Sequence, residues 1–279
     1  MTESTLDFAE FDFSGAMKDL TAGLIIKPLL RNYLFDASFP DFDLHFRKRD
    51  LGARKPDGWF HASTHPLMNE KALYTYLAEP ENFPTEVMQP GNTLAVTYGK
   101  VFHELLQVCL EDMGFLPKEL QVCTTCPPEA DCHEPSVVDE VCGERGHTDG
   151  FLDLSSLKHI PADKVESNLE LKSANDGFGK LTALPDLDLA LFRKRWPEYY
   201  AQQQSYLRMS GKKWTILIVM EHQFPFTMRE FHIPYDPGFS AGVAAKYQRV
   251  RQAAADQTPP RCCGKKGCLV YANCSRATR

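Results

Sequence analysis

The chain has 279 residues, 43% of them hydrophobic and 24% charged, which is enough to bury one sizeable α/β core and unlike a disordered polypeptide. A formal net charge of −6 excludes a protein that coats nucleic acid through bulk positive charge, so any grip on a polyanion must be local. There is no run of eighteen or more apolar residues, and the acidic, mixed segment Met1 to Asp12 does not read as a secretion signal. A cytoplasmic protein that does not enter a membrane is expected.

Residues 1–95 read as a helical or irregular N-terminal region of a single domain. Within them the apolar stretch Ala22 to Leu34 predicts a helix interrupted near Pro28, followed by a polar, Pro- and Gly-containing segment from Asp36 to Gly58. The core is expected over 96–255. Val96 to Met113 places Val101, Leu105 and Val108 at helical spacing, which puts His103 and Glu104 on a helix. Residues 117–145 are Pro-rich, carry cysteines and lack periodicity, so they read as an inserted loop or knuckle. Gly146 to Leu154 and Glu166 to Ser173 read as strands that can pair as an antiparallel hairpin. Trp196 to Met209 has helical spacing, Lys213 to Glu221 is an apolar strand with Met228 to Ile233 as partner, and Gly238 to Ala255 is a closing helix. Residues 256–279 form a cysteine-bearing tail. From Ala241 to Arg279 eight basic residues face Asp256 alone, which is the local positive patch the net charge requires.

Alternation along a strand puts Glu170 and Lys172 on one face and turns Leu169 and Leu171 to the other, into a core. A carboxylate two residues from a lysine can hold a divalent cation and keep an amine beside the water that cation polarises. By the same rule Asp149 and Asp153 share a face of the preceding strand, where Gly146 and Gly150 permit close approach. Asp149 and Glu170 supply the oxygen donors that Mg²⁺ or Mn²⁺ requires. Each residue also has a plainer reading. Glu-Leu-Lys can be a solvated strand face, His103 a core histidine, Tyr206 packing and Asp153 a strand end. What weighs against these is company: Gly99-x-x-x-His103 lies upstream on a helix and Gln202-x-x-x-Tyr206 downstream, where i and i+4 share a face.

The ordered set Gly99-x-x-x-His103, Gly146-x-x-Asp149, Glu170-x-Lys172 and Gln202-x-x-x-Tyr206 resembles the motif series of RecB-like nucleases of the PD-(D/E)xK superfamily. Within that branch it is similar to the phage exonucleases and the CRISPR-associated adaptation nucleases, over roughly Thr97 to Cys274. The resemblance implies a restriction-endonuclease-like α/β core, with a central mixed sheet flanked by helices and carrying Asp149, Glu170 and Lys172 along one edge. It implies that His103, Asp149, Glu170 and the Leu171 carbonyl bind a catalytic Mg²⁺ or Mn²⁺, and that Lys172 orients or deprotonates the attacking water. Gln202 and Tyr206 would hold the DNA strand or the lysine. The implied activity is a DNA exonuclease in end processing or recombination, with DNA and a recombination or replication protein as partners. A structure-selective endonuclease and a non-catalytic, metal-stapled DNA-binding adaptor are the alternatives.

Of nine cysteines eight fall into two clusters, with Cys109 alone, which suggests metal more than disulfides. Cys123-x2-Cys126-x5-Cys132 with Cys142, and His133 in reserve, has spacings suited to a structural zinc. Cys262, Cys263, Cys268 and Cys274 resemble the C-terminal part of the iron-sulfur site found in the same branch. Its upstream cysteine is missing, because Met68, Asn69 and Glu70 stand at the corresponding place after His61-x-x-x-His65. A local four-thiolate site holding iron-sulfur or Zn²⁺, completion by a cysteine of the insertion, and reduced surface thiols all remain open readings.

Overall fold

The computed structural model describes residues 23–35, 56–84, 90–127, 132, 134–158, 160–174, 185–221, 227–261 and 270. Helix α1 (Ile26–Phe35) starts where Ile25 and Lys27 donate their backbone N–H groups to the Glu230 carboxylate, at 2.7 and 2.6 Å. A side chain far along the sequence thus satisfies donors that a helix start leaves unpaired. Pro28 falls in the first turn, where no intrahelical N–H is lost, so the interruption expected there does not occur. Strand β1 (Phe60–His61), helix α2 (Glu70–Ala78), capped by Asn69, and the long helix α3 (Pro90–Asp112) follow.

The insertion is only half a loop. Its second part forms β2 (Ser136–Asp139) and β3 (Glu144–His147), which pair antiparallel, while β1 joins β3 in parallel to give a sheet ordered β1-β3-β2. Strands this short show too little alternation to be read through the prolines and cysteines around them. A second, mixed sheet is built from β4 (Gly150–Asp153), β5 (Glu166–Ala174), β6 (Trp214–Glu221) and β7 (Met228–Pro234), adjacent in that order. Its pairs run antiparallel, parallel and antiparallel. The crossover from β5 to β6 contains α4 (Leu189–Arg195) and α5 (Pro197–Ser210), and α6 (Pro237–Ala255) follows β7.

The expected strand Gly146 to Leu154 is therefore two strands in two sheets, and the single central sheet becomes a large sheet with a small companion. Thr148 and Asp149 make the change. Thr148 is pinned by its N–H to the Pro135 carbonyl at 3.2 Å and by its hydroxyl to the Leu169 carbonyl at 2.8 Å.

Alternation on β5 and β6 splits the large sheet into two buried faces. Leu169, Leu171, Ile216 and Ile218 pack with Leu30 of α1 and Leu106 and Leu110 of α3. Leu217, Val219, Phe231 and Ile233 pack with Phe192, Trp196 and Tyr200. Each such side chain contributes about 1.5–3 kcal/mol when fully buried. Helix α5 touches β2 and β3 of the small sheet as well as β6 of the large one, so it joins the two. Among the described residues no helix is long and apolar enough to cross a membrane. The architecture is thus mixed α/β, with helices flanking the sheets and a cysteine-bearing insertion.

Candidate active site

The register of β4 on β5 opens a gap. Gly150 pairs with Leu169 and β4 begins there, so beyond Leu169 that edge of β5 has no strand beside it among the described residues. Asp149 fills the place: its Oδ2 accepts the Leu171 N–H at 2.6 Å in lieu of a ladder bond. Because a strand residue directs its N–H and C=O to the same side, the Leu171 carbonyl lies along the same open edge.

An open edge lets groups from opposite faces of a sheet meet. Glu170 and Lys172 share the α5 side with Leu217 and Val219, and the Lys172 ammonium pairs with Glu170 Oε1. From the other side, His103 on α3 brings Nδ1 to 3.6 Å from Asp149 Oδ1. One turn further along α3, the Gln107 amide donates to the Asp149 carbonyl at 2.6 Å, so the helix holds this residue at two points. The close fit of α3 on β5 depends on Gly99, since a Cβ there would lie 2.6 Å from Ser173 Oγ. Tyr199 completes the wall, with its ring 5.2 Å from Lys172 Nζ.

The two carboxyls are driven in opposite directions. Burial pushes Glu170 up to about 7, against the Lys172 ammonium, and the neighbouring Asp149 charge adds to the rise. Burial acts the same way on Asp149 but is overcome by His103, Lys172 and the Leu171 N–H, which hold it below the usual carboxylate range. Lys172 is raised: burial opposes its charge, and Glu170 and Asp149 outweigh that. The Gln203 amide also faces Glu170 and favours its charged form, although among the described residues neither of its buried polar side-chain atoms meets a partner at full hydrogen-bond geometry.

Gln202 and Tyr206 stand behind the pocket. The Gln202 amide donates to the Tyr206 hydroxyl at 3.0 Å, and the tyrosine ring, 3% exposed, lies so close to Gly146 that a Cβ there would sit 2.7 Å from it. The ring is enclosed by the fold, and its hydroxyl is held by Gln202. Gly146 and Gly150 do permit close approach, but of Tyr206 and Leu116 respectively. Asp153 is apart from the pocket, at the far end of β4 opposite Glu166, where it accepts the Ser155 N–H at 2.9 Å. Spacing missed Gln107, although it stands at i+4 from His103, and missed Gln203 within the glutamine run 202–204.

The basic residues of α6 are engaged within the fold. Lys246 donates to the carbonyls of Pro66 and Met68, Arg249 pairs with Glu70, and Arg251 donates to the carbonyls of Cys142, Gly58 and Gly143. The cysteine set Cys123, Cys126, Cys132 and Cys142 needs correction. Cys142 lies elsewhere, its Sγ 3.9 Å from the Ala244 carbonyl on α6 and 3.7 Å from Arg208, and His147 joins the other three. Cys262, Cys263, Cys268, Cys274 and His133 lie outside the described residues.

The donor set at the β5 edge has the chemistry of a hard-cation site: two carboxylates, an imidazole and a carbonyl edge. Its members are not gathered on one point, since Glu170 is turned to Lys172 while Asp149 is turned to His103 and Leu171. No family model and no curated protein matches this chain. Among solved structures it is similar to the alkaline exonuclease LHK-Exo of Laribacter hongkongensis, with a TM-score of 0.41, 12% identity, and 79% of this chain and 94% of that chain covered. The same enzyme in complex with dAMP gives a TM-score of 0.39 at 14% identity, with the same coverage. The protein SSO0001 gives 0.38 at 15% identity, covering 91% of this chain and 96% of that one.

Proposed function

We propose that this protein is a divalent-metal-dependent deoxyribonuclease of the RecB-like kind, hydrolysing phosphodiester bonds from DNA ends. The observation that carries the reading is the β5 edge, where α3, the turn before β4 and β5 itself bring an imidazole, two carboxylates and an amine together. Asp149, Glu170, His103 and the Leu171 carbonyl would hold a cation of the Mg²⁺ or Mn²⁺ type. When bound, such an ion supplies Lewis acidity to a water and to a phosphate oxygen.

The chain's own groups do the positioning. Gln107 and the Leu171 N–H fix Asp149 at its carbonyl and at Oδ2, leaving Oδ1 toward His103. Glu170 and Asp149 face Lys172 and favour its charged form, in which it can donate to the attacking water and to the phosphate. Tyr199 covers the lysine on one side, and Tyr206, packed on Gly146, Ala62 and Val137 with its hydroxyl held by Gln202, seats α5 against the small sheet. Lys246 and Arg251 are taken up by backbone carbonyls and Arg249 by Glu70 at the surface, which lends no support to a purely DNA-gripping adaptor.

The test is incubation of linear and covalently closed circular DNA with Mg²⁺ or Mn²⁺, alongside Asp149→Ala. Loss of nucleotides from linear DNA only, abolished in the variant, is expected. Cutting of the circle would make the enzyme an endonuclease. No turnover with either metal would overturn the hydrolase reading.

A further inference from the structure

We infer that Cys123, Cys126, Cys132 and His147 bind one zinc ion in a closed, non-catalytic site that fastens the first half of the insertion to the strand leading into Asp149. Their ligand atoms all lie within 4.8 Å of one another, and among the described residues they form the one group of histidine, cysteine and carboxylate side chains gathered so tightly. A tetrahedral zinc with bonds of about 2.3 Å to sulfur and about 2.0 Å to nitrogen holds its ligand atoms roughly 3.5–3.8 Å apart. His147 Nε2 already faces Cys123 Sγ at 3.2 Å and Cys126 Sγ at 3.5 Å. The Cys126 N–H points at Cys123 Sγ at 3.4 Å, an amide donation that suits a thiolate and closes the Cys-x2-Cys turn.

Other occupants fit less well. Three thiols in one cluster cannot be exhausted by disulfides among themselves, since an odd number leaves one over. A two-iron cluster would place some of the four ligands on a second iron and spread them more widely than one shared point. Three thiolates and an imidazole fill every position of a tetrahedral zinc, so no water site remains and the ion is structural. Soft donors also separate this site from the hard oxygen donors at the β5 edge.

The segment has need of such a fastener. No residue from 117 to 127 is buried, so the segment brings no apolar core to order itself. It touches the scaffold on both sides of Asp149. Gln121 accepts the Phe151 N–H at 3.0 Å and donates to the Phe151 carbonyl at 2.9 Å, while Cys123 and Cys126 meet His147. Asp149 lies midway between those two anchors. Between them, Ser136 on β2 donates its N–H to the Val122 carbonyl at 3.1 Å and accepts the Thr124 N–H at 2.9 Å. The zinc site stands by its ligands alone; only its value to Asp149 rests on the nuclease reading.

Metal content tests it without reference to DNA cleavage. In the full chain isolated without chelators or oxygen, Cys126→Ser and Cys132→Ser should each carry one zinc fewer than the parent. Cys142→Ser, the same substitution outside the group, should carry the parental amount. Loss of iron instead of zinc, no loss, or equal loss in Cys142→Ser would overturn the assignment. Should the first two variants fail to fold, a chain with Cys262, Cys263, Cys268 and Cys274 all changed to serine is loaded with Co²⁺. Thiolate-to-cobalt charge transfer with tetrahedral visible bands is expected, and their absence would end the proposal.

Discussion

The two sheets both hold a buried glutamate beside a cation, and they do so to different ends. On the small sheet, Glu144 is pushed up to about 7 by burial, as Glu170 is on the large one. Glu144 meets Arg208 of α5, whose guanidinium reaches Asp139 with one nitrogen and Glu144 with another. That planar fork ties two carboxylates together, while Glu144 Oε1 and Arg208 Nε find no hydrogen-bond partner among the described residues. Glu170 meets a lysine, a point charge, next to a stretch of β5 that no strand of the described residues pairs on the Asp149 side. A shifted carboxylate therefore does not identify a site by itself. What sets Glu170 apart is the unfinished ladder beside it.

The largest effect should come from Lys172→Ala, with DNA cleavage falling about a hundred- to ten-thousand-fold while the thermal midpoint moves little. The small change in stability follows from Glu170, which answers the loss of its cation by taking up a proton. Single-turnover cleavage and a melting curve on the same preparation separate the two readouts. Undiminished cleavage would remove Lys172 from the mechanism and leave the two glutamates equivalent.

On the small-sheet side a comparable burial acts on stability alone. His65 is held down to about 3, first by burial, with the His61 charge adding to it, and its Nδ1 accepts the His61 N–H at 2.6 Å. Its folded-state value is below its unfolded value, near 6.5. The unfolded chain thus binds more protons between those limits. Stability from this group is complete above about 6.5 and is lost as the pH falls toward 3, on the order of a few kcal/mol in all. Urea unfolding of the parent and of His65→Asn between pH 7 and 4 should give a shallower decline for the variant. Parallel curves would mean that His65 takes up its proton in the folded chain.

How much of this was legible follows from which contacts are local. Glu170 and Lys172 could be paired from a period of two, and His103 placed from helical spacing, because each relation lies within one element. The division of Gly146 to Leu154 could not be foreseen. Neither proline nor a charge run marks Thr148, and the change of sheet depends on β1 and β2 capturing β3. The choice of Cys142 over His147 failed for a related reason. β2 and β3 form a hairpin in which Ser136 opposes His147, so Cys132, just before β2, lies near the end of β3. Cys142 occupies the turn, a strand length or about 13 Å away. Counting cysteines along the chain cannot see that reversal. Tyr206 shares a helix face with Gln202 as its spacing suggests, while its enclosure by Gly146 is a property of the packed sheets.

The smallest expected effect sharpens the contrast most. Sequence alternation makes Asp153 a companion of Asp149, and a strand running unbroken from Gly146 would have placed both on one face. The sheet change dissolves that relation: Asp149 stands in the turn before β4, and Asp153 ends the strand, holding the Ser155 N–H that turns the chain. That hydrogen bond also lowers the Asp153 carboxyl, with no part played by the pocket's own groups. Asp153→Asn retains an oxygen that can accept from Ser155, so stability should change by no more than about 0.5 kcal/mol. Cleavage should stay within about twofold of the parent, as for a surface substitution away from the pocket. A loss approaching that of Asp149→Ala would mean that the two aspartates act together after all, and that the break at Thr148 is not what sets the geometry of the site.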